Sequence, residues 1–272
     1  MQNKKAVEYR HLLIGAYELQ NKLNLRVNPN IYNELDLSDW VQAVYTELAE
    51  GVCSLRQWEW WSDKNSDYKN LKIEIIDAWH FVMSYHLTLL GGMYSFDVEK
   101  TIKYIDWYMS QLSSVNTLFE ESGSLKYDSE EMSGEYEKAV SYQAYRVLKS
   151  LFKNPDHFQS YDGYTNEIPG FVFENSLIEM LRLTFMVGIS FNEFIIIYTG
   201  KNVLNIFRQD NGYKKGEYIK MWNGKEDNVY LTEEILAGIT MPYVDMEDYI
   251  YRKLEQKYQD VIVEELFPAY PS

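Results

Sequence analysis

One segment constrains the fold more than any other: in Leu71–Leu90, Ile73, Ile75, Ile76, Ala78, Trp79, Phe81, Val82 and Met83 leave a helix almost no polar side, so it must be surrounded by other elements. Only Glu74, Asp77 and His80 interrupt it, and their i, i+3, i+6 spacing sets them on one narrow strip. Carboxylates on a central helix need a counter-charge. The rest of the chain supplies helices to surround it. Apolar residues recur at three- and four-residue spacings, Gly and Pro are scarce, and no convincing two-residue hairpin stands out, so the chain reads as an all-α helical bundle of about eight helices.

These are expected at Val7–Leu25, Asp39–Trp61 with Ser38 as N-cap, Leu71–Leu90 ending at Gly91-Gly92, Val98–Phe119, Tyr136–Phe152, Phe173–Val187, Asn192–Phe207 and Met246–Tyr258. No linker or internal repeat divides the 272 residues, which read as a single all-α domain. The polar, acid- and Ser-rich stretch after Phe119 reads as a loop, within a family-variable insertion around 120–170.

The second helix carries a stripe of Trp40, Ala43, Val44, Gly51, Ser54 and Trp58, with Glu47 and Glu50 within or beside it. Two ExxE/ExxD pairs on facing helices could bind Mg²⁺, which prefers carboxylate oxygens and keeps waters for a phosphate substrate. Four acids leave room for more than one ion, and paired ions suit in-line attack at phosphorus. Spacing alone also fits a solvated strip or a salt-bridged pair, and His80 fits a hydrogen-bonded structural histidine.

In a chain of net charge −15, residues 201–228 concentrate Lys201, Arg208, Lys214, Lys215, Lys220 and Lys225. Lys201, Asn205 and Arg208 share one helical face, where Arg can fork phosphate oxygens. Gly212 and Gly216 flank Tyr213, Lys214 and Lys215, a loop able to fold over an anion; a solvated, salt-bridged surface loop fits equally. The net charge excludes a broad nucleic-acid footprint, no apolar run reaches membrane-spanning length, and the start lacks a secretory signal. With the lone Cys53, these features favour the cytoplasm.

The ordered motifs ELQNKLN, ELAE, WEWW, KIEIIDAWHF and GKNVLNIFRQDNGYKKGEYIKMWNGKEDN resemble the dimeric dUTPases of trypanosomatids, campylobacters and some phages, members of the all-α nucleotide pyrophosphohydrolases. They cover the N-terminal third and about 173–229; residues 95–170 match no motif. The resemblance implies a homodimer hydrolysing dUTP and dUDP to dUMP by water attack at the α-phosphorus. It implies two or more Mg²⁺ ions, replaceable by Mn²⁺, on Glu47, Glu50, Glu74 and Asp77, with Glu50 favoured to deprotonate the water. Gln20 and Asn24 would read the uracil, Trp61 would pack nearby, and His80 would meet the deoxyribose or base. Lys201, Asn205, Arg208, Tyr213 and Lys214 would meet the phosphates, with Lys225 and Asn228 at the same end. One departure is that WW is followed by Ser62, with Lys64 two positions later, where relatives tend to carry a lysine at once. The rival expectations are a pyrophosphohydrolase of another base preference, such as dCTP, and a catalytically silent helical interaction protein.

Overall fold

The computed structural model describes residues 4–95, 97–121, 134–151, 167–239 and 245–266. Its helices are α1 (Lys4–Val27), α2 (Ile31–Glu34), α3 (Leu37–Ser54), α4 (Tyr68–Gly91), α5 (Val98–Gln111), α6 (Ser113–Glu121), α7 (Gly134–Leu151), α8 (Glu167–Met186), α9 (Phe191–Asp210), α10 (Asp227–Tyr230) and α11 (Met246–Leu266). Helix α4 packs against α1, α3, α5, α8 and α9, as its all-round apolar surface requires. Trp79, Val82 and Met83 are fully buried there, each worth about 1.5–3 kcal/mol of transfer free energy.

Helices α3 and α4 form an antiparallel pair. Trp40, near the start of α3, donates its indole N–H to Thr88 near the end of α4 at 2.9 Å, while Asn70 at the start of α4 donates to Ser54 at the end of α3 at 2.8 Å. At Gly51 the helices almost touch, since a Cβ there would lie 3.3 Å from the Cβ of Glu74. That close approach sets the level at which the acids of the two helices meet.

Several expected boundaries move, for identifiable reasons. Asp36, not Ser38, caps α3: its carboxylate accepts from the backbone N–H groups of Ser38 and Asp39, and Asp39 returns a bond to Asp36 in a capping box. The helix also stops at Ser54 rather than Trp61. Buried Leu55 turns extended, the Arg56 N–H bonds the Ser66 hydroxyl at 2.8 Å, and the Asp67 N–H bonds the Ser54 carbonyl at 2.9 Å, closing a loop that carries the tryptophans. The expected helix Val98–Phe119 is two, broken where Leu112 turns extended and so lets Val115 and Phe119 reach the core. The insertion expected at 120–170 falls partly on 122–133 and 152–166, outside the described residues; α7 lies between them.

A hairpin that the sequence reading overlooked follows α9. Strands β1 (Met221–Trp222) and β2 (Lys225–Glu226) pair antiparallel across Asn223 and Gly224, whose φ angles of 50° and 81° are the left-handed values a two-residue hairpin turn demands. The hairpin, α10 and α11 build a second apolar cluster around Phe207, Trp222, Leu254 and Tyr258 on the distal half of α9. Helix α9 therefore joins the main core to this C-terminal unit. Among the described residues, no single helix is long and apolar enough to cross a membrane.

Candidate active site

Glu47 and Glu50 from α3 and Glu74 from α4 bring carboxylate oxygens within 4.8 Å of one another. Burial, followed by the charges of Asp77, Glu74 and Glu50, pushes the Glu47 carboxyl up to about 8. Glu74 is raised too, chiefly by burial and then by Asp77 and Glu50, while Asn70 and Lys201 pull it back. Two acids pushed upward by burial and by their neighbours' charge mark a site short of positive charge.

Asp77 lies one turn along α4 from Glu74 and is paired: its Oδ2 is 2.9 Å from Nζ of Lys201, which is almost wholly buried on α9. Lys201 also donates to Oδ1 of Asn228 at 3.3 Å. The charges of Asp77 and Lys201 both act on His80. The His80 Nδ1–H faces the Ile76 carbonyl at 3.0 Å, and burial depresses the ring to about 4, so it is neutral near pH 7 with a lone pair on Nε2. Its 4.0 Å approach to Asp77 is therefore no ion pair. Tyr198 stacks on the ring at 4.5 Å between centroids.

Below His80 lies a buried polar network. Gln20 donates to Asn24 Oδ1 at 2.8 Å and to Ser84 Oγ at 3.1 Å, and accepts from the Tyr198 hydroxyl at 2.7 Å and the Asn202 amide at 3.3 Å. Asn24 in turn donates to Tyr32 at 3.2 Å and to Ser84 at 3.0 Å. Among the described residues, His80 Nε2, Thr199 Oγ1 and Asn202 Oδ1 are buried without a partner. Unmet polar atoms beside an amide-rich network suit a polar ligand such as a base and sugar. Asn202 was missed in the sequence, where it reads as one amide beside the basic strip; only its neighbour Lys201 could have drawn attention to it.

On the next turns of α9, Arg208 forks Asp227 through Nε at 2.8 Å and Nη2 at 2.7 Å, and its Nη1 donates to Asn205 at 3.1 Å. Tyr213 lies against the guanidinium at 5.8 Å. The structure thus joins Asp77, Lys201, Asn228, Asp227, Arg208 and Asn205 in one polar chain from the acid cluster to the basic strip. Other expected residues stand apart from it. Lys214 is exposed with Nζ 3.5 Å from the Val27 carbonyl, and exposed Lys225 pairs with Glu233 at 3.0 Å. Trp61 is 63% exposed and meets only other tryptophans edge-on, Trp58 at 5.7 Å and Trp60 at 5.4 Å, among the ring contacts of the described residues.

A family model described as dUTPase matches residues 13–213, most of the chain. The chain belongs to the dimeric, all-α dUTPase family. This dUTPase is therefore an enzyme acting on dUTP, and the matched stretch takes in the acid cluster, Gln20, Asn24, His80, Lys201, Asn205, Arg208 and Tyr213. Lys214, Lys225, Asp227 and Asn228 of this dUTPase lie beyond it. No match to the chain was found among curated proteins.

Proposed function

We propose that this dUTPase uses Mg²⁺ at Glu47, Glu50, Glu74 and Asp77 to hydrolyse dUTP and dUDP to dUMP, working as a homodimer in the cytoplasm. The observation that carries this reading is the convergence of three carboxylates within 4.8 Å, one raised to about 8 by burial and like charge. Hard oxygen donors short of positive charge suit Mg²⁺, with room for a second ion and for Mn²⁺ as a substitute. Bound there, the ions would offset the triphosphate's charge and acidify a water.

The side chains divide the remaining work. Glu50, the exposed member of the trio, has the freest reach to take the proton of the attacking water. Attack at the α-phosphorus breaks its bond to the bridging oxygen and releases pyrophosphate from dUTP or phosphate from dUDP. Lys201, Asn205 and Arg208 hold phosphate oxygens, with Tyr213 and Lys214 closing from the loop and Lys225 and Asn228 at the same end. Gln20 and Asn24 read the uracil edge, and the neutral His80 offers Nε2 as an acceptor to the deoxyribose or base. Trp61, being exposed, is free to fold over the nucleotide.

The deciding test is pyrophosphate release with Mg²⁺ from dUTP, dCTP and dTTP by the wild type and by Glu74→Gln. Turnover confined to dUTP and lost in the variant supports the reading. Preference for dCTP would reassign the base, and no dependence on the metal or on Glu74 would sink the acid-cluster mechanism.

A further inference from the structure

We propose that Asp227, braced by Tyr218, is the positioning residue that aims Arg208 at the substrate's phosphates, so that the C-terminal unit completes the active site. This rests on the reading of Arg208 as a phosphate ligand.

Asp227 is fully buried, which a carboxylate tolerates only when every lone pair finds a donor. It finds four. Arg208 donates through Nε and Nη2, the Tyr218 hydroxyl donates to Oδ2 at 2.8 Å, and the Asn228 N–H donates to Oδ1 at 2.8 Å. The position is built by the chain around it. The Asn223-Gly224 turn folds the strands back, and the Asp227 N–H ties to the Lys220 carbonyl at 3.0 Å, which fixes where the side chain enters.

The consequence for Arg208 follows from counting its donors. Of five N–H bonds, Asp227 takes two and Asn205 one, which among the described residues leaves one on each of Nη1 and Nη2. The flexible stem cannot swing, because the fork and the Tyr213 ring fix the plane. A guanidinium held in that way meets phosphate oxygens without first losing rotamer freedom, and transition-state charge is best met by donors already in place. The neighbouring Asn228 does the same for Lys201, so two adjacent residues of one segment orient both cations of the strip.

The rival is an anchoring salt bridge that only fastens the C-terminal unit to α9, and the two separate by which product feels its loss. With Mg²⁺ present, inhibition by pyrophosphate and by dUMP is measured for wild type, Arg208→Ala, Asp227→Asn and Tyr218→Phe, alongside KM and kcat for dUTP. Positioning predicts that Asp227→Asn weakens pyrophosphate inhibition and raises KM by about tenfold while dUMP inhibition is unchanged. Equal weakening toward both products, or pyrophosphate inhibition within twofold of wild type in a folded variant, overturns it. Should Asp227→Asn fail to fold, Tyr218→Phe carries the test: a two- to threefold loss confined to pyrophosphate supports positioning, and none overturns it. If Arg208→Ala itself leaves pyrophosphate inhibition intact, the phosphate reading of Arg208 falls and this inference with it; if only Asp227→Asn and Tyr218→Phe are silent, the inference falls alone.

Discussion

Lys201 and Asp77 are joined at 2.9 Å across the α4–α9 contact, and both also border groups assigned to the substrate. Lys201 is almost wholly buried, so its removal strips Asp77 of its ion-pair partner and takes away a positive charge that draws Glu74 down. Lys201→Met should cost about 3 kcal/mol of stability in urea unfolding, as expected for breaking a buried pair from one side. Adding Asp77→Asn should restore part of the loss, since the orphaned charge is then gone. Losses that simply add in the double variant would mean the pair is not coupled.

The acid cluster gives metal-free protein a pH dependence of definite sign. Glu47 is raised from 4.5 to about 8 in the folded state, so the folded protein holds a proton that the unfolded chain releases. Its contribution is present in full below 4.5 and is lost as pH rises through about 8. In EDTA, Tm should therefore fall between pH 5 and pH 8, and Glu47→Gln should flatten that slope. Mg²⁺ should remove the slope, because a cation takes over from the proton. A Tm that climbs steadily over this range in EDTA, unchanged by Glu47→Gln, would contradict the coupling.

His86 works in the other direction. It sits in the core between the Tyr17 hydroxyl at 2.6 Å and Ser176 Oγ at 2.7 Å, and burial depresses it from 6.5 to about 3. Ser176 donates to the Val172 carbonyl, so it accepts from the His86 Nε2–H, and Tyr17 donates to Nδ1. The unfolded chain takes up the proton first, so this contribution is whole above pH 6.5 and is lost as pH falls toward 3. His86→Gln should remove about one proton's slope, about 1.4 kcal/mol per pH unit, from unfolding free energies measured between pH 4 and pH 6.

The residues that could be read from the sequence were those on long, periodic helices. Glu47, Glu50, Glu74 and Asp77 stood out because each interrupts or borders an apolar stripe, and helical spacing fixes which face they share. Asp227 could not stand out in this way. It sits at the start of a four-residue helix after a hairpin, where no period runs long enough to assign a face. The end of α3 was hidden for the opposite reason: WEWW continues the apolar pattern, and only the bonds from Ser54 and Ser66 across the loop reveal the break. The pairing of Arg208 with a buried acid depends on tertiary contact, on which local spacing is silent.

Gly51 tests whether the spacing of α3 and α4 matters to chemistry separately from stability. Alanine favours a helix over glycine by about 1 kcal/mol, but its Cβ would press on the Glu74 Cβ at 3.3 Å, while meeting Leu71 at an ordinary contact distance of 3.5 Å. The two effects oppose, so Gly51→Ala should change Tm by only a few degrees. Parting the helices by a few tenths of an ångström displaces Glu74 from Glu47 and Glu50, so kcat should fall about tenfold or more. A variant of full activity would show that the cluster tolerates a wider spacing.

Tyr198→Phe separates base recognition from catalysis. The hydroxyl is the shorter of two donors to the Gln20 carbonyl oxygen, at 2.7 Å against 3.3 Å from Asn202, and the ring it leaves behind keeps its stack on His80. Loss of that one bond should cost about 1 kcal/mol and leave the amide of Gln20 freer to turn. Because the acids and cations are untouched, kcat on dUTP should hold while KM rises about fivefold, and discrimination against dCTP should narrow, since an amide that can rotate offers either a donor or an acceptor to the base. If kcat falls instead, with KM and base preference steady, Gln20 and its network belong to the positioning of His80 and not to the base.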